Sequence, residues 1–340
     1  MFAEAIENIL RDQCTPAVVR AIERGGETTA LWQAIAGAGF LDLLRPEGEG
    51  GASLALPDLY VVIKHFGHYA APLPFAESIA ARALLAPGVH LPSGPLTLAH
   101  TLVRKPDGSL HAPMVPFGMV SDHVLAAEGG QLLLLACASA RRRIPTGIAA
   151  SQAATLVWAD ECAAEPIAGD AAAFAPMAAA VYAALMAGAM VRVFDITLQY
   201  CNERSQFGRT LGKFQSIQHQ LAVMAELVAV SGIAAEMAFQ VDSRVPRLLP
   251  SAIAKARVSE AAPEMANMAH ALHGAIGVTE EYDLHLFTRR LHEMRIAHGS
   301  DSYWNRIVGD KVLASAGMLA QFVREETEDR PVFALQGGGG

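Results

Sequence analysis

The chain has no basic surplus. Its 26 Lys and Arg face 34 Asp and Glu over 340 residues, a formal net charge of −8. Binding a phosphate backbone calls for a positive surface, so the sequence predicts no nucleic-acid partner. Cysteine is scarce and scattered: Cys14, Cys137, Cys162 and Cys201 form no CxxC pair and no metal-ligand spacing. The expectation is no metal site and reduced, mostly buried thiols in a cytoplasmic protein. The opening "MFAEAIENILRDQC" carries acids but neither a basic n-region nor an apolar h-region, which argues against a signal peptide. There are no clear internal repeats.

What the chain does have is apolar mass: 52% hydrophobic residues and a mean hydropathy of +0.27. Much of this is alanine, which suits closely packed helices. "FAPMAAAVYAALMAGAMV", from Phe174 to Val191, carries no charge and reaches the rough length of a membrane span. It is poor in the strongly inserting Leu, Ile and Phe, and it runs on into the polar "RVFDITLQYCNER". It is therefore read as a helix buried in a bundle, with no membrane partner.

Three zones follow from composition. Residues 1–93 read as a helical domain, with "AEAIENILRDQ" and "TTALWQAIAGAGFLDLL" at helical spacing, the glycine-rich "RPEGEGGAS", then further helix broken at a proline. Residues 94–169 hold short β-like runs, "LTLAHTLV", "HVLAAEGGQLLLLAC" and "ATLVWADEC", between turn signals. Residues 170–330 read as a helical bundle, and 331–340 as a flexible tail. The fold class expected is mainly α with a small β domain.

The stretch "YCNERSQFGRTLGKFQSIQHQLAVMAEL" joins two of the long helices. Phe214, Ile217, Leu221, Met224 and Val228 make an apolar seam on the second. In the link, Gly208 can take a conformation that other residues resist. An arginine, side-chain amides and a helix N-terminus together could bind a phosphate-containing ligand. The alternative is that Arg204 pairs with a carboxylate and the glutamines face water.

"RSQFGRTLGKFQSIQHQLAVM" resembles the R-x-Q/T-F-G-x-x-L-x-x-F-Q-x-x-Q-x-x-L-A signature of the acyl-CoA dehydrogenase family. "HALHGAIGVTEEYDLHLFTRRL" and "AGFLDLLRPEGEGGASLALPD" are similar to two further family segments. The resemblance spans nearly the whole chain. It implies an N-terminal helical domain, a middle β domain and a C-terminal four-helix bundle. It also implies FAD as cofactor, an acyl-CoA substrate that is α,β-desaturated, and an electron-transfer flavoprotein or similar acceptor. By position, Arg204 would bond the pyrophosphate, with Gln206 and Phe207 around the adenine-ribose end. Leu211, Phe214 and Gln215 would line the same pocket, and Gly274 and Gly277 would let backbone approach the phosphates. In the family this half-site serves an FAD held mainly by a neighbouring subunit.

The departures from the family pattern carry equal weight. The two positions where members place a catalytic glutamate fall on His298 and Ala178. His298 is either a neutral imidazole base or, the favoured reading, a loop histidine making an ordinary hydrogen bond. Asp301 is read as a helix cap, and Glu280 and Glu281 as structural. The T-E-P-x-x-G-S-D segment of the β domain is missing, "SARRRIPTGIAASQAA" is no substitute for it, and the β zone is short. The chain thus resembles the short, glutamate-lacking subunit of heterotetrameric steroid-degrading members, with base and most of the flavin site on a partner. The alternative is a catalytically silent subunit that stabilises a partner dehydrogenase.

Overall fold

The computed structural model describes residues 2–89, 93–148, 151–160 and 163–315. The expected tail 331–340, the last part of the bundle segment and Cys162 lie outside them. Five helices come first: α1 (Phe2–Gln13), α2 (Pro16–Glu23), α3 (Thr29–Ala36), α4 (Leu56–His68) and α5 (Phe75–Leu84). Local chemistry sets their ends. Thr15 caps α2 by accepting from the Val18 N–H, and Pro16 opens the first turn, where its missing N–H costs nothing.

Eight strands follow, in two four-stranded sheets ordered β1-β4-β5-β8 and β2-β3-β7-β6. The strands are β1 (Leu96–Ala99), β2 (Val103–Arg104), β3 (Leu110–Val115), β4 (His123–Glu128), β5 (Gln131–Ala136), β6 (Arg142–Pro145), β7 (Ala154–Trp158) and β8 (Ala164–Ile167). The β4–β5 hairpin turns on Gly129 and Gly130, both at positive φ, the pairing that suits the right-handed twist of its strands. Leu110, Leu135, Leu156 and Trp158 bring residues of both sheets into one separate apolar core.

The remaining helices are α6 (Phe174–Glu203), α7 (Gln215–Met237), α8 (Leu248–His273), α9 (Leu284–Ile296) and α10 (Asp301–Ala314). A two-stranded ribbon of β9 (Ser205–Gln206) and β10 (Arg209–Thr210) links α6 to α7. Helix α6 is the axis of the molecule, packed by α4, α7, α8 and α9, and its core is continuous with that of the N-terminal helices. Its alanines and glycines explain how so many neighbours fit. A Cβ on Gly188 would overlap the Lys64 carbonyl, and one on Gly67 would overlap the Leu185 carbonyl, so α4 and α6 run in backbone contact.

Two helices are long and apolar enough to cross a membrane by length and composition, α6 and α7. The most apolar stretch of α6 is 89% buried inside the protein, as its reading as a bundle helix requires. That of α7 is 28% buried, and Ile233 on it is 61% exposed. The seam on α7 does face inward, with Met224 and Leu221 buried.

Candidate functional site

The connector between α6 and α7 is a built hairpin. Phe207 and Gly208 occupy its two turn positions at φ 52° and 81°, the left-handed pair a two-residue type I′ turn demands. Glycine adopts this freely, whereas phenylalanine pays a steric penalty there. The hairpin base is closed by the Leu211 N–H donating to the Arg204 carbonyl at 2.9 Å. The turn thrusts Phe207 into solvent, 89% exposed, with its ring edge-on to Phe214 at 6.3 Å. Arg209 lies over the Phe214 face at 4.0 Å.

Arg204, Gln206 and Gln215 are exposed, while Leu211 and Phe214 are half-buried beneath them. No carboxylate pairs with Arg204 among the described residues, so the ion-pair alternative for it does not hold. No side chain caps α7, which leaves its first-turn N–H groups without a side-chain acceptor. Gln218 is committed: its amide donates to the Gly212 carbonyl at 2.9 Å.

The second loop sits at the end of α8, beside the last turn of α6. There Tyr200 stacks on His273 at 4.4 Å and its hydroxyl donates to the His273 carbonyl at 3.3 Å. Gly274 is exposed at φ 62°, and a Cβ on it would meet open space. Gly277 is buried, and a Cβ there would press on the His273 Cβ at 2.8 Å. The two glycines therefore serve different needs: the first opens the surface, the second lets the loop fold onto α8. For an FAD adenine-diphosphate end, the exposed donors and uncapped helix start form a fitting cradle, open on its outer side.

A second region is a cavity partly open to solvent. A cavity of about 360 Å³ lies where α5, α6, α9 and the strand loops meet. Its walls include Pro113, Met114, Phe117, Ile148, Leu185 and Ile296. Of six non-glycine residues at positive φ among those described, Met114, Phe117 and His298 line this cavity. Clustered backbone strain of this kind marks places where the surroundings over-determine the chain.

His298 is 3% exposed, and neither ring nitrogen has a hydrogen-bond partner. The favoured expectation of an ordinary hydrogen bond is thus corrected: the left-handed turn at φ 54° aims the ring inward among Tyr182, Phe174 and His100. Burial, aided by His100 and Lys255, drives its pKa well below the usual histidine range, so the imidazole is neutral. Only its carbonyl is engaged, accepting from the Trp304 indole at 3.0 Å. Ala178 is buried in α6 with no functional group to offer.

Asp301 is not the cap either. Ser300, still extended, caps α10 by accepting from the Tyr303 N–H at 3.3 Å, while Asp301, already helical, pairs with Arg295 at 3.2 Å. Glu280 is exposed and pairs with Arg24 at 3.3 Å.

Four residues of this region escaped the sequence reading. Lys255 on α8 is fully buried, and its ammonium donates to the Arg295 carbonyl (2.9 Å), Ser259 Oγ (3.0 Å) and the Gly299 carbonyl (3.1 Å). All three donors are used, which pins the loop carrying His298; burial still pulls its pKa down to about 7. Glu77 on α5 is 1% exposed, with its pKa pushed up to about 7 by burial. The Tyr182 hydroxyl faces that carboxyl, and the neighbouring Glu77 adds to burial in raising the Tyr182 pKa well above the usual tyrosine range. Arg290 is tied to Glu23 (3.0 Å) and the Ala71 carbonyl (2.8 Å). The only sequence signal for Glu77 was an acid inside the apolar "FAESIAARALL".

The "ARRRIPTG" segment, which gave no family match, becomes edge strand β6 and then a cavity wall. The Ile148 N–H donates to Glu293 at 2.9 Å, holding that wall to α9.

Comparison with known proteins agrees with this architecture. Residues 170–313 match the family model for the acyl-CoA dehydrogenase C-terminal domain. The chain is 32% identical over 302 residues to the acyl-CoA dehydrogenase IpdE2 of Mycobacterium tuberculosis, covering 86% of this chain and 90% of that protein. Among solved structures, the Tcur3481-Tcur3483 steroid ACAD (G363A variant) superposes with a TM-score of 0.74 at 26% identity, over 92% of this chain and 96% of that one. The ChsE4-ChsE5 complex from Mycobacterium tuberculosis shares the fold, with a TM-score of 0.75 at 20% identity over 93% and 97% of the two chains. This chain belongs to the acyl-CoA dehydrogenase family, whose members are FAD-dependent oxidoreductases.

Proposed function

We propose that this chain is a subunit of a hetero-oligomeric acyl-CoA dehydrogenase acting in α,β-desaturation of an acyl-CoA thioester, with the catalytic base on its partner. The observation that carries the reading is the hairpin: Arg204, Gln206 and Phe207 are exposed together and Arg204 has no carboxylate partner among the described residues. A surface that displays an aromatic ring and a free cation on a strained turn is built to meet something outside the chain. In this reading Arg204, Gln206, Phe207, Leu211, Phe214, Gln215, Gly274 and Gly277 complete an FAD site in which the isoalloxazine belongs to the partner. FAD, when bound, supplies the oxidant for hydride loss from the β-carbon.

This chain's own residues bind the pyrophosphate and shield the adenine end from water. No carboxylate stands at the positions of His298 and Ala178, so proton removal falls to the partner. The electron acceptor is an electron-transfer flavoprotein or a similar carrier, and the compartment the cytoplasm. The steroid ACAD relative supports a steroid-derived or similarly bulky acyl group. A silent stabilising subunit is the second reading, favoured by the apolar face of α7, where Val230 and Ile233 are exposed and fit contact with another chain.

The visible spectrum tests the proposal. The expected result is a colourless protein when purified alone, and a yellow, acyl-CoA-bleachable complex when co-expressed with a glutamate-bearing acyl-CoA dehydrogenase subunit from the same genome. A yellow homo-oligomer that an acyl-CoA bleaches anaerobically would overturn it.

A further inference from the structure

The two loops of the proposed cofactor half-site leave different helices, and three rings join them. Tyr200 lies in the last turn of α6, and its carbonyl accepts from the Arg204 N–H at 2.9 Å. His273 ends α8, immediately before Gly274. Tyr282 follows the second loop, just ahead of α9. The Tyr200 and His273 rings stack at 4.4 Å, Tyr282 tilts against His273 at 5.0 Å, and Tyr282 meets Tyr200 edge-on at 6.1 Å. Rings at such separations attract one another beyond what their burial contributes.

His273 is the centre of this cluster, where an apolar side chain would pack at lower cost. It is 3% exposed, and its Nε2 has no hydrogen-bond partner, a penalty that leucine or phenylalanine would avoid. What the imidazole adds lies on its other nitrogen. The Ala269 carbonyl, 2.7 Å from Nδ1, can only accept, so Nδ1 carries the proton and ties the ring back along α8. Burial keeps the ring neutral by lowering its pKa. The Tyr200 hydroxyl holds the same residue by its carbonyl, donating at 3.3 Å. Gly277 then folds onto it, so close that a Cβ would stand 2.8 Å from the His273 Cβ.

The outer end of the cluster is held from a third element. Asp283, next to Tyr282, accepts from Arg20 of α2 at 2.6 Å, in a pair whose side chains are only partly exposed. Glu23, one turn further along α2, binds Arg289 and Arg290 of α9. Tyr282 is thus fixed on one side by His273 and on the other by the helix that α2 grips.

We infer that His273, clamped between Tyr200 and Tyr282, is a positioning residue that sets the Gly274 loop in register with Arg204, and that Arg20 anchors the clamp through Asp283. The inference rests on the reading of this surface as an FAD half-site. It extends cofactor retention to a helix of the N-terminal domain, which acts through the loop.

FAD retention in the co-expressed complex tests it, read as the FAD-to-protein ratio after serial dilution and gel filtration. Circular dichroism melts of each isolated variant establish that it is folded at the assay temperature. Tyr200→Leu, which removes the ring, should weaken retention about tenfold, whereas Tyr200→Phe, which keeps the stack, should stay within about twofold of the parent. Arg20→Gln should weaken retention severalfold. Because the clamp acts by placing Arg204, Tyr200→Leu added to Arg204→Ala should cost far less than it does alone. A full, additive loss would show that Tyr200 acts elsewhere and would overturn the positioning role. Retention unchanged in Tyr200→Leu and Arg20→Gln but lowered in Arg204→Ala overturns the clamp and leaves the half-site standing. Retention unchanged in all three removes FAD from this surface, and the inference falls with that reading. Should Tyr200→Leu fail to fold, Arg20→Gln decides alone: lowered retention in a folded variant upholds the clamp, and parental retention overturns it.

Discussion

The hairpin at 204–214 and the cavity under His298 both keep polar groups without internal partners, yet they do so in opposite surroundings. At the hairpin the groups stand in water, where an unpaired arginine costs little, and the ring of Phe207 is the anomaly. In the cavity the walls are apolar and the unpaired atoms are the anomaly. The contrast teaches that one family fold can carry two incomplete sites of different kinds. In the proposed function the open one meets another chain; the other is bounded by this chain's own apolar walls.

The two regions can be forced apart experimentally, beginning with the scaffold they share. Gly188→Val places side-chain atoms against the Lys64 carbonyl in the α4–α6 contact and should cost about 4 kcal/mol of stability. Thermal denaturation of the folded fraction checks it; an unchanged Tm would mean α4 and α6 can separate without loss.

Next comes Glu77→Gln. The folded-state pKa of Glu77 is raised from 4.5 to about 7, so the native protein holds its proton more tightly than the unfolded chain does. Stability from this group is therefore intact below pH 4.5 and falls as pH rises to 7. The Gln variant should be more stable than the parent by about 3 kcal/mol at pH 8, with the gain vanishing near pH 4.5. Denaturant melts at the two pH values read this directly, and a gain independent of pH would show that the carboxyl is not buried as described.

Arg204→Ala acts on the open region alone. It should weaken FAD retention in the assembled complex by about 1.5–3 kcal/mol through loss of a charge-assisted bond to phosphate, with the melting temperature of the isolated chain nearly unchanged. FAD-to-protein ratios after dilution and gel filtration measure it. Undiminished occupancy would transfer support to the silent-subunit reading.

The smallest expected effect is in His298→Ala, assayed for turnover of a plain alkanoyl-CoA in the complex. Near-parental kcat is expected, because the base lies on the partner. A loss beyond about a hundredfold would instead make the neutral imidazole a general base.

The hairpin was far more legible in the sequence than the cavity. "RSQFG" is contiguous, its glycine marks the turn, and the seam from Ile217 to Val228 fixes how α7 packs. The buried character of Phe174–Val191 was likewise readable from alanine content. Short edge strands such as β6 and β8 were not, because "RRIP" and "AEPI" show no apolar alternation and pair only because neighbouring strands offer open edges. The expected hydrogen bond of His298 and cap at Asp301 failed for a related reason. A residue's partners depend on where a left-handed turn points it, and neither position reveals that turn.

The sequence by itself determined the order of helices, small β unit and bundle, and marked the connector that carries Arg204, since these rest on periodicity and on residues adjacent along the chain. Only the tertiary structure decided that Glu77, Tyr182 and His298, from three separate elements, line one cavity with Lys255 bracing the loop beside it. Their coupling arises from burial and proximity after folding, and those quantities have no local signature in the sequence.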